Sequence, residues 1–231
     1  MSDLRLRFTR LSLVCVWLVL LSVSVHATDT PQAAAGIKET LSRSVEAAIA
    51  QLGRPDGFLA DQAVRIAVPK SLEPVAKTAR KLGQGKYVDQ LETAMNRAAE
   101  QAVPAAAEIF GEAIRTMSVQ DALGIVGGSK DAATAYFRRS SGEALRAKML
   151  PLVEQATDST GVTKAYKQLT DKGGGKLVAL GASKESLDID RYVTDKALDG
   201  LFHTIAEQEA QIRENPVATG SALLKSLFGP R

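Results

Sequence analysis

Apolar side chains recur at every third or fourth position along most of this chain, which is the period of an α-helix. Alanine is abundant and aromatic residues make up only 5% of the chain, so small side chains are expected where helices pack closely. Strand-like alternation is confined to Val64, Ile66 and Val68, with residues 177–180 as a candidate partner strand. The pattern predicts an all-α, single-domain multi-helix bundle, to which one short two-stranded β pair is an optional addition.

Capping residues, glycines and prolines divide the chain into expected helices. The segment from Ser118 to Asp121 has the spacing of a capping box, and Asp188 opens what we predict to be the longest helix. The expected helices run from about Ala34 to Leu52, Ser71 to Leu82, Tyr87 to Ala102, Pro104 to Met117 and Ser118 to Gly127, then from Ser129, from Ser141, from Asp188 to about Asn215, and from Pro216 to Phe228.

The first 27 residues have the layout of a secretory signal peptide. Arg5, Arg7 and Arg10 precede an uncharged run of 15 residues, and Ala27 offers a small side chain before a cleavage site. An uncleaved anchor is less well supported, since a membrane span needs roughly 20 apolar residues. We therefore predict cleavage after Ala27, a periplasmic location, and one helical domain at residues 28–231.

Removing residues 1–27 would change the composition that bears on function. Twenty-six Lys+Arg and 25 Asp+Glu would remain, for a net charge of +1. Such a chain lacks the basic excess typical of nucleic-acid binding. It would also contain no cysteine, and His203 would be its only histidine, which excludes disulfides and Cys/His zinc sites from this segment. We predict no cofactor, no nucleic-acid partner and no transmembrane segment after cleavage.

Five short strings resemble one bacterial family, catalogued as domain of unknown function 4197. They are Gln51–Leu59, Ala94–Glu100, Ala135–Arg139, Lys196–Phe202 and Thr219–Lys225, and the resemblance extends from about Gly36 to Phe228. It implies an exported protein of mainly Gram-negative bacteria. It implies no activity or cofactor and supplies no catalytic residue.

The helix that begins near Asp188 carries a polar array opposite its apolar face. Lys196, Asp199, His203 and Glu207 follow one another at spacings of three, four and four residues. A metal or acid–base site is one interpretation, but a tetrahedral site needs ligands from more than one direction. We favour a solvated ladder of ion pairs, with no metal. The apolar face is formed by Val193, Ala197, Leu198, Leu201, Phe202, Ile205 and Ile212.

Two further groups are candidate ligand-binding residues. Arginine pairs can hold a carboxylate or a phosphate, and the loop at residues 53–58 presents charges beside turn-forming residues. Structural ion pairs, for example between the arginines and Glu100 or Glu143, are the competing interpretation. The candidates are Arg54, Asp56, Asn96, Arg97, Arg138 and Arg139.

No catalytic residue is predicted, because no nucleophile–base pair can be recognised in the sequence. The leading hypothesis is a non-enzymatic, soluble periplasmic protein that binds an apolar ligand or an envelope protein. One alternative is an enzyme that uses a polar Arg/Asp/Glu/Asn cleft. Another is association with a membrane surface through a C-terminal apolar strip formed by Leu223, Leu224, Leu227 and Phe228.

Overall fold

A computed structural model describes residues 30–174 and 188–214, and in the first of these ranges it describes side chains as far as residue 168. Helices form nearly all of the regular structure in these ranges. The all-α prediction is confirmed. The helices are α1 (Thr30–Leu52), α2 (Glu73–Lys81), α3 (Gly85–Ala102), α4 (Ala106–Thr116), α5 (Val119–Gly127), α6 (Ala132–Thr160), α7 (Val162–Gly174) and α8 (Ile189–Glu214), with 3-10 turns at Lys70–Leu72 and Val103–Ala105.

One hydrophobic core receives side chains from all eight helices. Helix α6 lies at its centre and packs against α3 and α8, while α1, α4 and α5 cover one side and α2 and α7 pack on α3. Phe110 of α4 meets the rings of Phe137 and Phe202 edge to face, at centroid distances of 5.2 and 6.1 Å. This aromatic cluster joins α4, α6 and α8.

Several helix ends follow directly from local chemistry. Ser118 and Asp121 form the predicted capping box at the start of α5. Helix α6 ends at Gly161, whose φ of 78° lies in the left-handed region that glycine adopts most readily. Asp188 accepts a hydrogen bond from the backbone N–H of Arg191 at 2.9 Å and so caps the start of α8.

The expected strand at residues 64–68 is wrong, because this segment is irregular and no strand occurs in the described ranges. Its alternation is real, since Val64 and Ile66 are buried. Its hydrogen-bond partner, however, is a side chain. Asn96 of α3 accepts from the N–H of Ile66 at 2.9 Å and donates to its C=O at 2.8 Å. The expected partner strand, residues 177–180, lies outside the described residues.

Two expected helix starts are also wrong. Ser71 does not cap α2, because a 3-10 turn comes first and Pro74, near the helix start, has no N–H to satisfy. Ser141 does not open a helix either, because it lies inside α6. Phe137, Ser141, Leu145 and Met149 are spaced four apart and all are buried. This continuous buried stripe carries the helix through the serine.

Length and extent differ from the predictions in smaller ways. Within the described residues, helix α8 contains 26 residues and α6 contains 29, so in this part of the chain the helix after Asp188 is not the longest. The expected helix from Pro216 to Phe228 lies outside the described residues. Among the helices that the structure does describe, none combines the length and the apolar character needed to cross a membrane.

A buried carboxylate connects three helix ends near the end of α8. Glu209 accepts hydrogen bonds from the N–H groups of Ala133 and Thr134 at 3.0 and 3.1 Å, so α8 caps the first turn of α6. Arg213 pairs with Glu209 at 2.9 Å and donates to the C=O of Ile125 in α5 at 2.8 Å. The end of α5 and the start of α6 are therefore held by one ion pair on α8.

Candidate functional site

An open cleft of about 620 Å³ lies where α6 and α8 meet the segment that follows α1. We call it the α6–α8 cleft. Three parts of the chain supply its polar side chains, and these parts are far apart in sequence. Its polar lining is formed by Arg65, Asp131, Arg138, Tyr192, Lys196, Asp199 and His203.

Arg138 is fixed in this cleft by an aromatic ring. Its guanidinium lies over the ring of Phe202, 4.4 Å from the centroid. Its side chain remains 51% exposed, and its carboxylate neighbour, Asp199, is 3.9 Å away. At that exposure and distance the ion pair contributes little to stability. The arginine is thus oriented by the ring while its hydrogen-bond donors stay accessible to a ligand.

Asp199 pairs with two cations. Its second partner is Lys196, at 3.1 Å on the same helix. Arg65 on the opposite wall pairs with Glu92 at 3.0 Å. The cleft lining contains three permanent cations and two carboxylates, those of Asp131 and Asp199. Glu92 neutralises Arg65, so the remaining lining cations, Arg138 and Lys196, are equal in number to the lining carboxylates, Asp131 and Asp199. Asp199 is the carboxylate that pairs with both cations.

Tyr192 attaches the irregular segment to α8 at the edge of the cleft. Its hydroxyl donates to the C=O of Ala67 at 2.9 Å, and burial raises the pKa of its phenol. Gly200 of α8 has no room for a side chain, since a Cβ there would lie 2.7 Å from the ring of Phe58. This close approach lets the segment lie flat on α8 and form the cleft wall.

The predicted polar array on α8 is present, but its members have different partners. His203 pairs with Glu207, with 3.4 Å between Nε2 and Oε1, and both are about half exposed. Asp199 instead approaches Lys196 and Arg138. Within the described ranges, no three His, Cys, Asp or Glu side chains are grouped as metal ligands. The array thus consists of exposed polar contacts, and three of its members, Lys196, Asp199 and His203, line the cleft.

The loop at residues 53–59 is held by a second cluster. Arg97 contacts Asp56 and Glu100, both at 2.7 Å, and the hydrogen bond from Arg97 to Glu100 is the main cause that raises the pKa of Arg97. Glu100 is only 4% exposed, and it accepts from the backbone N–H groups of Phe58 and Leu59 at 3.1 and 3.3 Å. This arrangement satisfies buried backbone donors, which is a structural role.

The same loop contains the chain's one described non-glycine residue with positive φ, Asp56 at 67°. Asp tolerates this conformation better than most residues. The next residue must be glycine, because a Cβ on Gly57 would lie 2.5 Å from the backbone oxygens of Gln51 and Leu52. The pair of Asp56 and Arg97 therefore holds a tight turn against α1 and α3.

The six candidate ligand-binding residues do not meet at one place. Asp56 and Arg97 form the loop cluster, and buried Asn96 binds the backbone of Ile66. Arg54 and Arg139 are exposed and form no ion pair with the rest of the described chain. Of the six, only Arg138 lines the α6–α8 cleft. Arg138 pairs with Asp199 and not with Glu100 or Glu143, the expected partners of the arginine pair.

Three of the cleft residues, Lys196, Asp199 and His203, were predicted to lie in an exposed ladder, whereas no motif pointed to Arg65 or Tyr192. One signal in the sequence connected part of this set. Arg138 belongs to the string Ala135–Arg139, whereas Lys196 and Asp199 belong to Lys196–Phe202, and both strings carry the family resemblance.

Comparison with protein families identifies one match, and it covers most of the chain. The model of a family described as Protein of unknown function (DUF4197) matches residues 27–229. Searches among curated proteins and among solved structures found no match. The resemblance inferred from the five strings is confirmed, and the chain belongs to the DUF4197 family of proteins of unknown function.

Proposed function

We propose that this protein is a non-enzymatic binding protein of the bacterial cell envelope, and that its α6–α8 cleft binds an acidic segment of a partner protein. The observation that carries this proposal is the arrangement of Arg138 and Lys196 around one carboxylate, Asp199. Two cations that share one internal carboxylate leave room for another anion. The envelope location rests on the proposed signal peptide at residues 1–27.

Arg138 is suited to bind a carboxylate of the partner. A guanidinium presents donors in a planar fork that matches a carboxylate. Because the ring of Phe202 already orients this fork at 4.4 Å, less conformational freedom is lost when a ligand binds. Lys196 is 45% exposed and can approach the same carboxylate from α8.

A partner protein is better supported than an apolar ligand. The apolar cavity between α1, α5 and α8 has a volume of about 30 Å³, which is enough for one water molecule. It is lined by Ile37, Leu41 and Ile125, among others, and Glu209 and Arg213 also contribute to its lining. The open cleft has the size typical of a ligand site.

Titration with a fluorescent, capped tetraglutamate peptide tests the proposal. Removing a charge-assisted hydrogen bond costs about 1.5–3 kcal/mol, so Arg138→Ala should weaken binding by roughly tenfold or more. Arg139→Ala is the matched control, because Arg139 is the adjacent exposed arginine and does not line the cleft. Asp199→Asn should strengthen binding, since it removes the internal competitor.

Three outcomes would contradict this function. They are the absence of binding to the wild-type protein, equal affinities for the Arg138→Ala and Arg139→Ala variants, and equal binding of a tetraglutamine peptide. A photo-crosslinking amino acid placed at Ala63, an exposed residue of the cleft lining that leaves Arg138 in place, should also capture a defined protein in living cells. The same group placed at position 139 should not.

A further inference from the structure

A second open groove lies between α3 and the junction of α6 with α7. It has a volume of about 720 Å³, and we call it the α3–α7 groove. Its depth comes from two small residues on facing helices, Ala94 and Ala165, which are 6% and 7% exposed. Longer side chains on both sides form its walls.

The walls of this groove are mostly uncharged and able to form hydrogen bonds. Gln90, Thr93 and Gln101 come from α3, and Ser159 and Gln168 face them. Ser159 donates to Gln101 at 3.4 Å. The side chains of Gln90, Thr93 and Gln168 form no hydrogen bond with the rest of the described chain. A row of amide and hydroxyl groups is therefore available to a ligand.

Two of the three charged side chains at the groove are neutralised within the protein, whereas the exposed Lys164 forms no ion pair with the described residues and can donate to a carbonyl group of a ligand. Asp89 pairs with Arg80 at 2.9 Å, and Arg97 is held by Asp56 and Glu100. The groove thus differs from the α6–α8 cleft, where one carboxylate serves two cations. Its chemistry fits a neutral ligand that both donates and accepts hydrogen bonds.

Helix α3 already binds the main chain of the irregular segment at residues 64–68 with an amide side chain. Asn96 binds the N–H and the C=O of Ile66 at 2.9 and 2.8 Å, because an amide carries both an acceptor and donors. Gln90 and Gln101 present the same functional group on the groove side of this helix. They are eleven positions apart, or about 16 Å along a helix. That distance corresponds to about five residues of extended chain at ~3.3 Å each.

We infer that the α3–α7 groove is a second binding site, and that it binds an uncharged, extended polypeptide segment of about five residues through its main-chain amides. Main-chain recognition of this kind gives affinity that depends little on the ligand's side chains. The site is independent of the proposed function, because none of its residues lines the α6–α8 cleft.

The test uses an array of uncharged pentapeptides with an acetylated N-terminus and an amidated C-terminus. Members that bind are then titrated in solution by fluorescence anisotropy. The double variant Gln90→Ala/Gln101→Ala should weaken binding about tenfold, as expected for two lost neutral hydrogen bonds. Gln120→Ala/Gln155→Ala is the matched control, since both glutamines are exposed and lie outside the groove. This control should retain wild-type affinity.

One further variant and a sugar probe distinguish peptide binding in this groove from anion binding in the α6–α8 cleft and from carbohydrate binding. Arg138→Ala should leave pentapeptide binding unchanged, so the inference can fail or succeed whatever happens in the α6–α8 cleft. If no pentapeptide binds, or if both double variants lose affinity equally, the inference is overturned. It is also overturned if a neutral oligosaccharide such as chitotetraose binds in the groove and the peptides do not.

Discussion

Replacing Glu209 by alanine tests whether one buried carboxylate connects α5, α6 and α8. The carboxylate is 7% exposed and its partner Arg213 is 17% exposed. It accepts the N–H groups of Ala133 and Thr134 together with the hydroxyl of Thr134 at 3.1 Å. The Glu209→Ala variant would leave these donors without an acceptor and would remove the carboxylate that pairs with the largely buried guanidinium of Arg213.

The expected cost follows from these contacts. Loss of a helix N-cap costs about 0.5–2 kcal/mol, and breaking a buried ion pair by removing one partner costs about 3–5 kcal/mol. The two terms overlap, because the same carboxylate forms both interactions. We therefore expect Glu209→Ala to lower the free energy of unfolding by about 3–5 kcal/mol, out of the roughly 5–15 kcal/mol typical of a domain. Glu209→Gln should cost less, since its amide oxygen can still accept a hydrogen bond.

Urea unfolding followed by far-ultraviolet circular dichroism measures this difference. With a slope of about 2 kcal/mol per molar urea, the midpoint should fall by roughly 2 M. Glu207→Ala is the control, because Glu207 lies two positions away on the exposed face and pairs with His203. Its effect should remain within about 0.5 kcal/mol. If the two alanine variants unfold at the same urea concentration, the carboxylate does not hold the helix ends together.

Four further outcomes are expected. Phe202→Ala should cost about 3–5 kcal/mol in urea melts, because the ring is almost fully buried; wild-type behaviour would mean that the assigned apolar face is wrong. Arg138→Ala should cost far less, about 1 kcal/mol at most, since half of its side chain is exposed. Burial raises the pKa of the Tyr192 phenol in the folded protein. The stabilisation contributed by the neutral phenol is therefore complete below the usual phenol pKa of about 10 and is lost as the pH rises through the raised pKa. Alkaline melts of Tyr192→Phe should show a smaller decline than those of the wild type. Intact mass of periplasmic protein should correspond to a chain that begins at Thr28, and retention of Met1 would contradict the proposed cleavage.

The features that the sequence predicted are those whose causes lie within a few residues of each other. The apolar spacing in α1, α3 and α8 predicted helices, because residues three and four apart share one helix face. The capping box at Ser118 was predictable for the same reason, since it depends on neighbouring backbone groups.

Features that depend on distant partners were beyond the sequence alone. The alternation at residues 64–68 resembled a strand, and only the packed structure shows that Asn96 takes the place of a partner strand. Ser141 resembled a helix cap, but packing buries it in the middle of α6. Arg138 and Asp199 are 61 positions apart, and the contact between α6 and α8 brings them together. Periodicity and capping are local, whereas burial and charge pairing depend on which helix faces meet, so they can be read only from the packed helices.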